Sequence, residues 1–189
     1  MATEGPLESA TGDSQMQDVL NKARHIRLAI FDVDGVLTDG RLYYGPAGEV
    51  FKVFHSHDGH GLKMLRQAGI DLALLSGRDS PCVDRRAAEL GIQLVYQGIE
   101  DKLACYEQLL AELGLEENAA AFMGDEVVDL PVMRRCGLAL SVPEAPPWVK
   151  RHAHYVTHRS GGAGAVREAC ELMLRAQGAL QPQLDRCLR

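Results

Sequence analysis

Leu28-Ala29-Ile30-Phe31 is a continuous apolar run of strand length, and residues 72–75, 93–96, 119–123 and 138–140 repeat the pattern downstream. Strands that are apolar on both faces belong in a sheet covered on both sides, the usual setting of parallel strands. Helical spacing fills the gaps, around residues 61–68, 81–90 and 103–113. Strand–helix alternation of this kind leads to a doubly wound α/β fold. One segment breaks the alternation: residues 41–44 and 49–54 flank Gly45-Pro46-Ala47-Gly48, which reads as a β-hairpin projecting just after the first strand.

The chain has 189 residues, enough for one domain with its own core. Residues 1–25 are read as a leader, disordered to about residue 15, with a short helix over residues 16–24; residues 26–180 form the domain, and residues 181–189 form a tail. The net charge of -6 argues against a nucleic-acid partner. No apolar run is long enough to cross a membrane, and the first residues lack the apolar core of a signal peptide, so the expected location is the cytoplasm. The five cysteines form no Cys-x-x-Cys pair and are read as reduced thiols.

Ligands of doubly wound sheets bind beyond the carboxyl ends of the strands, and polar residues gather there. The first strand runs into Asp32-Val33-Asp34-Gly35, the second ends in Ser76-Gly77-Arg78, Lys102 opens a helix, and another strand ends in Gly124-Asp125-Glu126-Val127-Val128-Asp129. Two carboxylates leaving one strand repel each other unless a cation lies between them, which makes Mg²⁺ their natural companion, with Asp125 as a further ligand. Asp32 keeps an oxygen free to attack phosphorus. Lys102 and Ser76 would hold the phosphoryl oxygens in the transition state. A calcium loop beginning at Asp32 is excluded, since its twelfth position is Tyr43 rather than Glu. No Gly-x-Gly-x-x-Gly follows the first strand, so a dinucleotide site is excluded too.

These four ordered motifs resemble those of the haloacid dehalogenase superfamily. Residues 34–40, Asp58-Gly59-His60-Gly61, Ser76-Gly77-Arg78, Tyr96-Gln97-Gly98, Asp101-Lys102 and residues 161–168 narrow the resemblance. They are similar to its capless branch that dephosphorylates 3-deoxy-D-manno-octulosonate 8-phosphate in lipopolysaccharide precursor synthesis. The resemblance covers roughly residues 26–180. It implies Asp32 as the nucleophile, forming an aspartyl-phosphate, and Asp34 as acid and then base. Mg²⁺ would be held by Asp32, Asp125 and the backbone carbonyl of Asp34, with Asp129 behind them. A sugar-acid phosphate would be held by a loop containing His55, Ser56, His57, Asp58 and Gly59, with Asp34, Lys63, Arg78, Arg86 and Lys102. The chain departs from the family pattern at Glu126, where a second Asp is usual, and at His55 and His57, where Asn or Arg is usual.

The stretches between Asp34 and Ser76 and between Ser76 and Lys102 are both too short for a domain, which needs about 50 residues, so the site has no cap. The hairpin would expose strand edges and Tyr43, Tyr44, Phe51 and Phe54, a liability in a monomer. Association of hairpins, and the family resemblance, imply a homotetramer. The Gly-rich stretch 160–164 is a flexible helix start or, as the resemblance implies, a mobile arm reaching a neighbour's site. Three alternatives remain at this point: a phosphatase of a nine-carbon sialic-type sugar acid, a signalling receiver domain, and a non-catalytic binding module.

Overall fold

The computed structural model describes residues 7–188. Its centre is a parallel sheet of β1 (Leu28–Phe31), β4 (Asp71–Leu75), β5 (Leu94–Tyr96), β6 (Ala120–Met123), β7 (Leu138–Ser141) and β8 (Tyr155–Val156), in the order β5-β4-β1-β6-β7-β8. Every residue of β1, β6 and β7 is buried, as expected of strands covered on both faces. The doubly wound α/β fold is therefore present. β1 lies centrally, with Phe31 level with Leu74 of β4 and Met123 of β6. That register brings the carboxyl ends of three strands together, so the segments beginning at Asp32, Ser76 and Gly124 share one rim of the sheet.

The covering helices are α1 (Leu7–Ala23), α2 (Ser56–Gln67), α3 (Pro81–Leu90), α4 (Lys102–Leu113), α7 (Ala165–Ala176) and α8 (Leu180–Cys187), with the single turns α5 (Leu130–Met133) and α6 (Pro147–Lys150). α7 packs on α2 and α1 through buried Val166, Ala169, Cys170 and Met173. The helix expected over residues 16–24 begins earlier, at Leu7, anchored where Val19 and Ala23 are buried. Of the expected leader, residues 1–6 lie outside the described residues. Of the expected tail, residues 181–187 belong to α8, and Gln183 of that helix donates to the carbonyl of Met64 in α2.

β2 (Tyr43–Gly45) and β3 (Gly48–Phe51) form the expected hairpin, shorter than read from sequence, with Tyr43 and Phe51 stacked at 4.5 Å between ring centroids. Leu42, Tyr44, Val50, Phe51 and Val53 are exposed on it.

Candidate active site

Asp32 follows β1 directly and is buried, as is Lys102 in the first turn of α4. The Lys102 ammonium lies 2.9 Å from Asp32 Oδ2 and 2.6 Å from Asp129 Oδ1. Asp32 Oδ1 accepts from the Val33 amide at 2.6 Å. Asp32, Asp125 and Asp129 each bring a carboxylate oxygen within 4.8 Å of the others. Three carboxylates facing one ammonium leave an excess of negative charge in a dry setting. Burial, then repulsion from Asp129, raises Asp32 to about 6, against the opposing pull of Lys102. Burial, then Asp32 and Asp129, raises Asp125 to about 7.

Those shifts mark a site built for a further cation. Asp125 Oδ1 is buried without a hydrogen-bond partner, and all the nearby donors are hard oxygens, which suit Mg²⁺. Asp129 is already committed. Its Oδ1 accepts from Lys102, and its Oδ2 accepts from the amides of Asp125 and Glu126 at 3.0 and 3.1 Å. It shapes the loop that presents Asp125. Glu126, the departure from the family pattern, turns its carboxylate back onto the Val127 amide, so the longer side chain is absorbed by capping the turn.

The turn requires glycine at position 35 for two reasons. Its φ is +86°, and a Cβ there would sit 2.0 Å from Asp125 Oδ2. A second backbone layer presses on this turn. A Cβ on Gly161 would lie 1.8 Å from the Gly35 carbonyl oxygen, and the Gly162 amide donates to Val36 at 3.0 Å. The stretch 160–164, expected as a flexible helix start or a mobile arm, thus packs against its own chain's Asp-Val-Asp-Gly turn. Gly161→Ala is expected to lower kcat by about 10²-fold by displacing that turn roughly 1 Å, with far-UV circular dichroism unchanged; wild-type turnover would refute the contact.

Asp34 is turned away from the other carboxylates. Its Oδ1 lies 2.5 Å from the Lys52 ammonium and its Oδ2 3.6 Å from Arg78 Nε. Lys52 also reaches Glu49 at 3.1 Å, Glu49 accepts from the Ser80 hydroxyl, and Arg78 donates to the Tyr44 hydroxyl. Burial alone would lower the Lys52 pKa, but its contacts with Asp34 and Glu49 prevail and raise it. Asp34 Oδ2 and Arg78 Nε, like Asp125 Oδ1, are buried without hydrogen bonds. Ser76 is buried at the end of β4, its hydroxyl accepting from the Arg78 amide at 3.2 Å.

The remaining expected substrate residues are placed differently. The segment 55–59 is the start of α2 rather than a loop, with His55 capping it through the His57 amide. Asp58 is buried, and its carboxylate accepts from the amides of Gly164 at 3.3 Å and Arg167 at 2.7 Å, so it caps α7 and is unavailable to a sugar. Asp58→Ala is expected to cost about 1–3 kcal/mol, or ~2–4 °C in Tm for each kcal/mol, with KM unchanged. A raised KM with unchanged Tm would return Asp58 to substrate binding. Ser56, Gly59, Lys63 and Arg86 line a cavity of about 480 Å³ between α2 and α3, together with Phe54 and His60. None of the Asp32, Asp125 and Asp129 group lines it. Lys52 escaped the sequence reading, because a hairpin lysine beside Phe51 and Val53 carries no mark of pointing inward.

Residues 52–137 match the family model of haloacid dehalogenase-like hydrolases. The 3-deoxy-D-manno-octulosonate 8-phosphate phosphatase of Yersinia pestis is 46% identical over 164 residues, 87% of this chain and 88% of that one. A probable phosphatase structure from Pseudomonas syringae superposes with a TM-score of 0.90 at 48% identity, covering 92% of this chain and 98% of that one. The structure of the Moraxella catarrhalis 3-deoxy-D-manno-octulosonate 8-phosphate phosphatase, in complex with magnesium, phosphate and the sugar acid, superposes with a TM-score of 0.89. It is 43% identical and covers 90% of this chain and 98% of that one.

Proposed function

Since the chain belongs to the 3-deoxy-D-manno-octulosonate 8-phosphate phosphatases, a family of haloacid dehalogenase-like hydrolases, we propose that the residues around Asp32 carry out that reaction. The enzyme is a magnesium-dependent phosphomonoester hydrolase that releases phosphate from 3-deoxy-D-manno-octulosonate 8-phosphate, a step in making lipopolysaccharide precursors. The observation that supports the site assignment is the Asp32–Lys102–Asp129 contact chain beside unpaired Asp125.

Asp32 attacks phosphorus and the ester oxygen departs, giving an aspartyl-phosphate. Asp34 gives its proton to that oxygen, then takes one from the water that releases phosphate. Lys102 and Ser76 hold the phosphoryl oxygens, and Lys102 keeps Asp32 aimed. The Asp32 and Asp125 carboxylates and the Asp34 backbone carbonyl would hold Mg²⁺, which would supply positive charge against the phosphoryl oxygens. Arg78 suits the substrate carboxylate, since guanidinium pairs with it in bidentate fashion.

Lys63 and Arg86 line the α2–α3 cavity with Ser56 and Gly59, and with His55 and His57 on the same helix start they would hold the sugar acid. The enzyme works as a homotetramer, joined through the exposed apolar hairpins, in the cytoplasm. No described helix is long and apolar enough to cross a membrane. The reading is tested by phosphate release with Mg²⁺ from 3-deoxy-D-manno-octulosonate 8-phosphate, a nine-carbon sialic-type phosphate and common sugar phosphates. Preference for the eight-carbon acid is expected. Equal rates on all of them would remove the substrate assignment and leave a general phosphatase.

A further inference from the structure

Lys52 belongs to the segment between β3 and α2, yet its side chain is only 2% exposed and its ammonium meets Asp34 Oδ1 at 2.5 Å. A lysine so enclosed must be there for its charge, because burying an ammonium is costly unless it is matched by partners. Glu49, three residues earlier on β3, gives it a second carboxylate at 3.1 Å. Arg78 faces the same two acids from the other side, at 3.6 Å from Asp34 and 3.9 Å from Glu49. Two cations and two carboxylates thus form a balanced set beside the metal-binding group.

We propose that Lys52 is a positioning residue for Asp34, holding its carboxyl on the substrate side of the Asp-Val-Asp-Gly turn and away from the Asp32, Asp125 and Asp129 oxygens. This rests on the functional reading above, in which Asp34 exchanges a proton with the leaving oxygen and then with water. A carboxylate two residues from Asp32, left loose, is drawn to any divalent cation the other acids bind, and is then lost to proton transfer. Lys52 prevents that by engaging Oδ1. Oδ2 is left without a hydrogen bond, 3.6 Å from Arg78 Nε. The hairpin therefore has a second task besides presenting an apolar surface: it inserts this lysine into its own chain's site, and Glu49, tied to Ser80 at the start of α3, fixes where the lysine lies.

The test is a double-mutant cycle between Lys52→Met and Asp34→Asn, run on whichever phosphomonoester the wild-type enzyme hydrolyses fastest. A wrong substrate and a wrong role for Lys52 then give separate results. Lys52→Met should lower kcat by about 10–100-fold, part of the usual worth of a positioned acid, with KM held within about threefold. In the Asp34→Asn background the same change should cost less than about twofold. Lys52→Arg, which keeps a cation able to reach Asp34, should lose less than Lys52→Met. Equal losses in both backgrounds, a loss mainly in KM, or no loss at all would each overturn the proposal. Should Lys52→Met fail to fold by circular dichroism, Lys52→Gln takes its place in the cycle with the same expectations.

Discussion

Asp32→Asn is expected to lower kcat by at least ~10⁴-fold, because no other carboxylate in the site is placed to form the covalent bond. Asp34 is the nearest in sequence, but its oxygens are turned to Lys52 and Arg78. Asp129 is spent on Lys102 and two amides. The substitution should leave the fold unharmed. Burial pushes the Asp32 carboxyl up to about 6, so its anion is a liability to the folded chain when no metal is present. The variant should melt at or above the temperature of the metal-free wild type at neutral pH. A variant that loses activity and also melts far lower would mean that Asp32 is mainly a structural partner of Lys102.

Mg²⁺ should stabilise the protein strongly near neutral pH and little in mild acid. In the metal-free fold Asp125 is raised to about 7 and Asp32 to about 6, from 3.8 in an ordinary aspartate. The folded state therefore holds protons that the unfolded chain has released. Stability is full below the unfolded value and falls as pH rises from about 4 to about 7. Mg²⁺ binds the ionised form and restores what is lost. At a hundred times its dissociation constant it contributes about 2.7 kcal/mol, or ~5–10 °C in Tm at this chain length. Asp125→Asn should abolish this shift, raise the Tm of the metal-free protein at neutral pH, and lower kcat by ~10³-fold. Differential scanning fluorimetry across pH, with and without Mg²⁺, checks each part. A Mg²⁺ shift that is largest in acid would contradict the assignment of Asp32 and Asp125 as ligands.

Much of the fold could be read from the chain because its central strands are apolar almost from end to end. Runs such as Leu28–Phe31 have one stable place, inside a sheet covered on both faces. The candidate site residues stood out in the sequence for a related reason. Asp32, Ser76, Lys102 and Asp125 each sit at the end of a strand or the start of a helix, where backbone direction alone decides which way they face. Asp58 and Lys52 show where that stops working. Whether Asp58 meets a sugar or the first turn of α7 depends on a segment more than a hundred positions away, with Arg167 as its partner. Lys52 reads as one more polar residue in a hairpin, and only the fold of the hairpin over Asp34 turns it inward. The early start of α1 had no clear apolar period to announce it; its buried contacts come at Val19 and Ala23.

Catalysis through Asp32 requires its covalent phosphorylation by the sugar-acid phosphate. It is tested most directly by mixing Asp34→Asn enzyme with 3-deoxy-D-manno-octulosonate 8-phosphate and Mg²⁺, quenching in acid, and weighing the peptide that contains Asp32. Losing Asp34 slows the transfer, which lacks its acid, and slows hydrolysis, which lacks its base, still more. Over a long incubation that peptide should gain the mass of one phosphoryl group, at a site that fragmentation places on Asp32. Phosphate released at the wild-type rate with no modified peptide, or a phosphoryl group found on any other residue, would contradict the account.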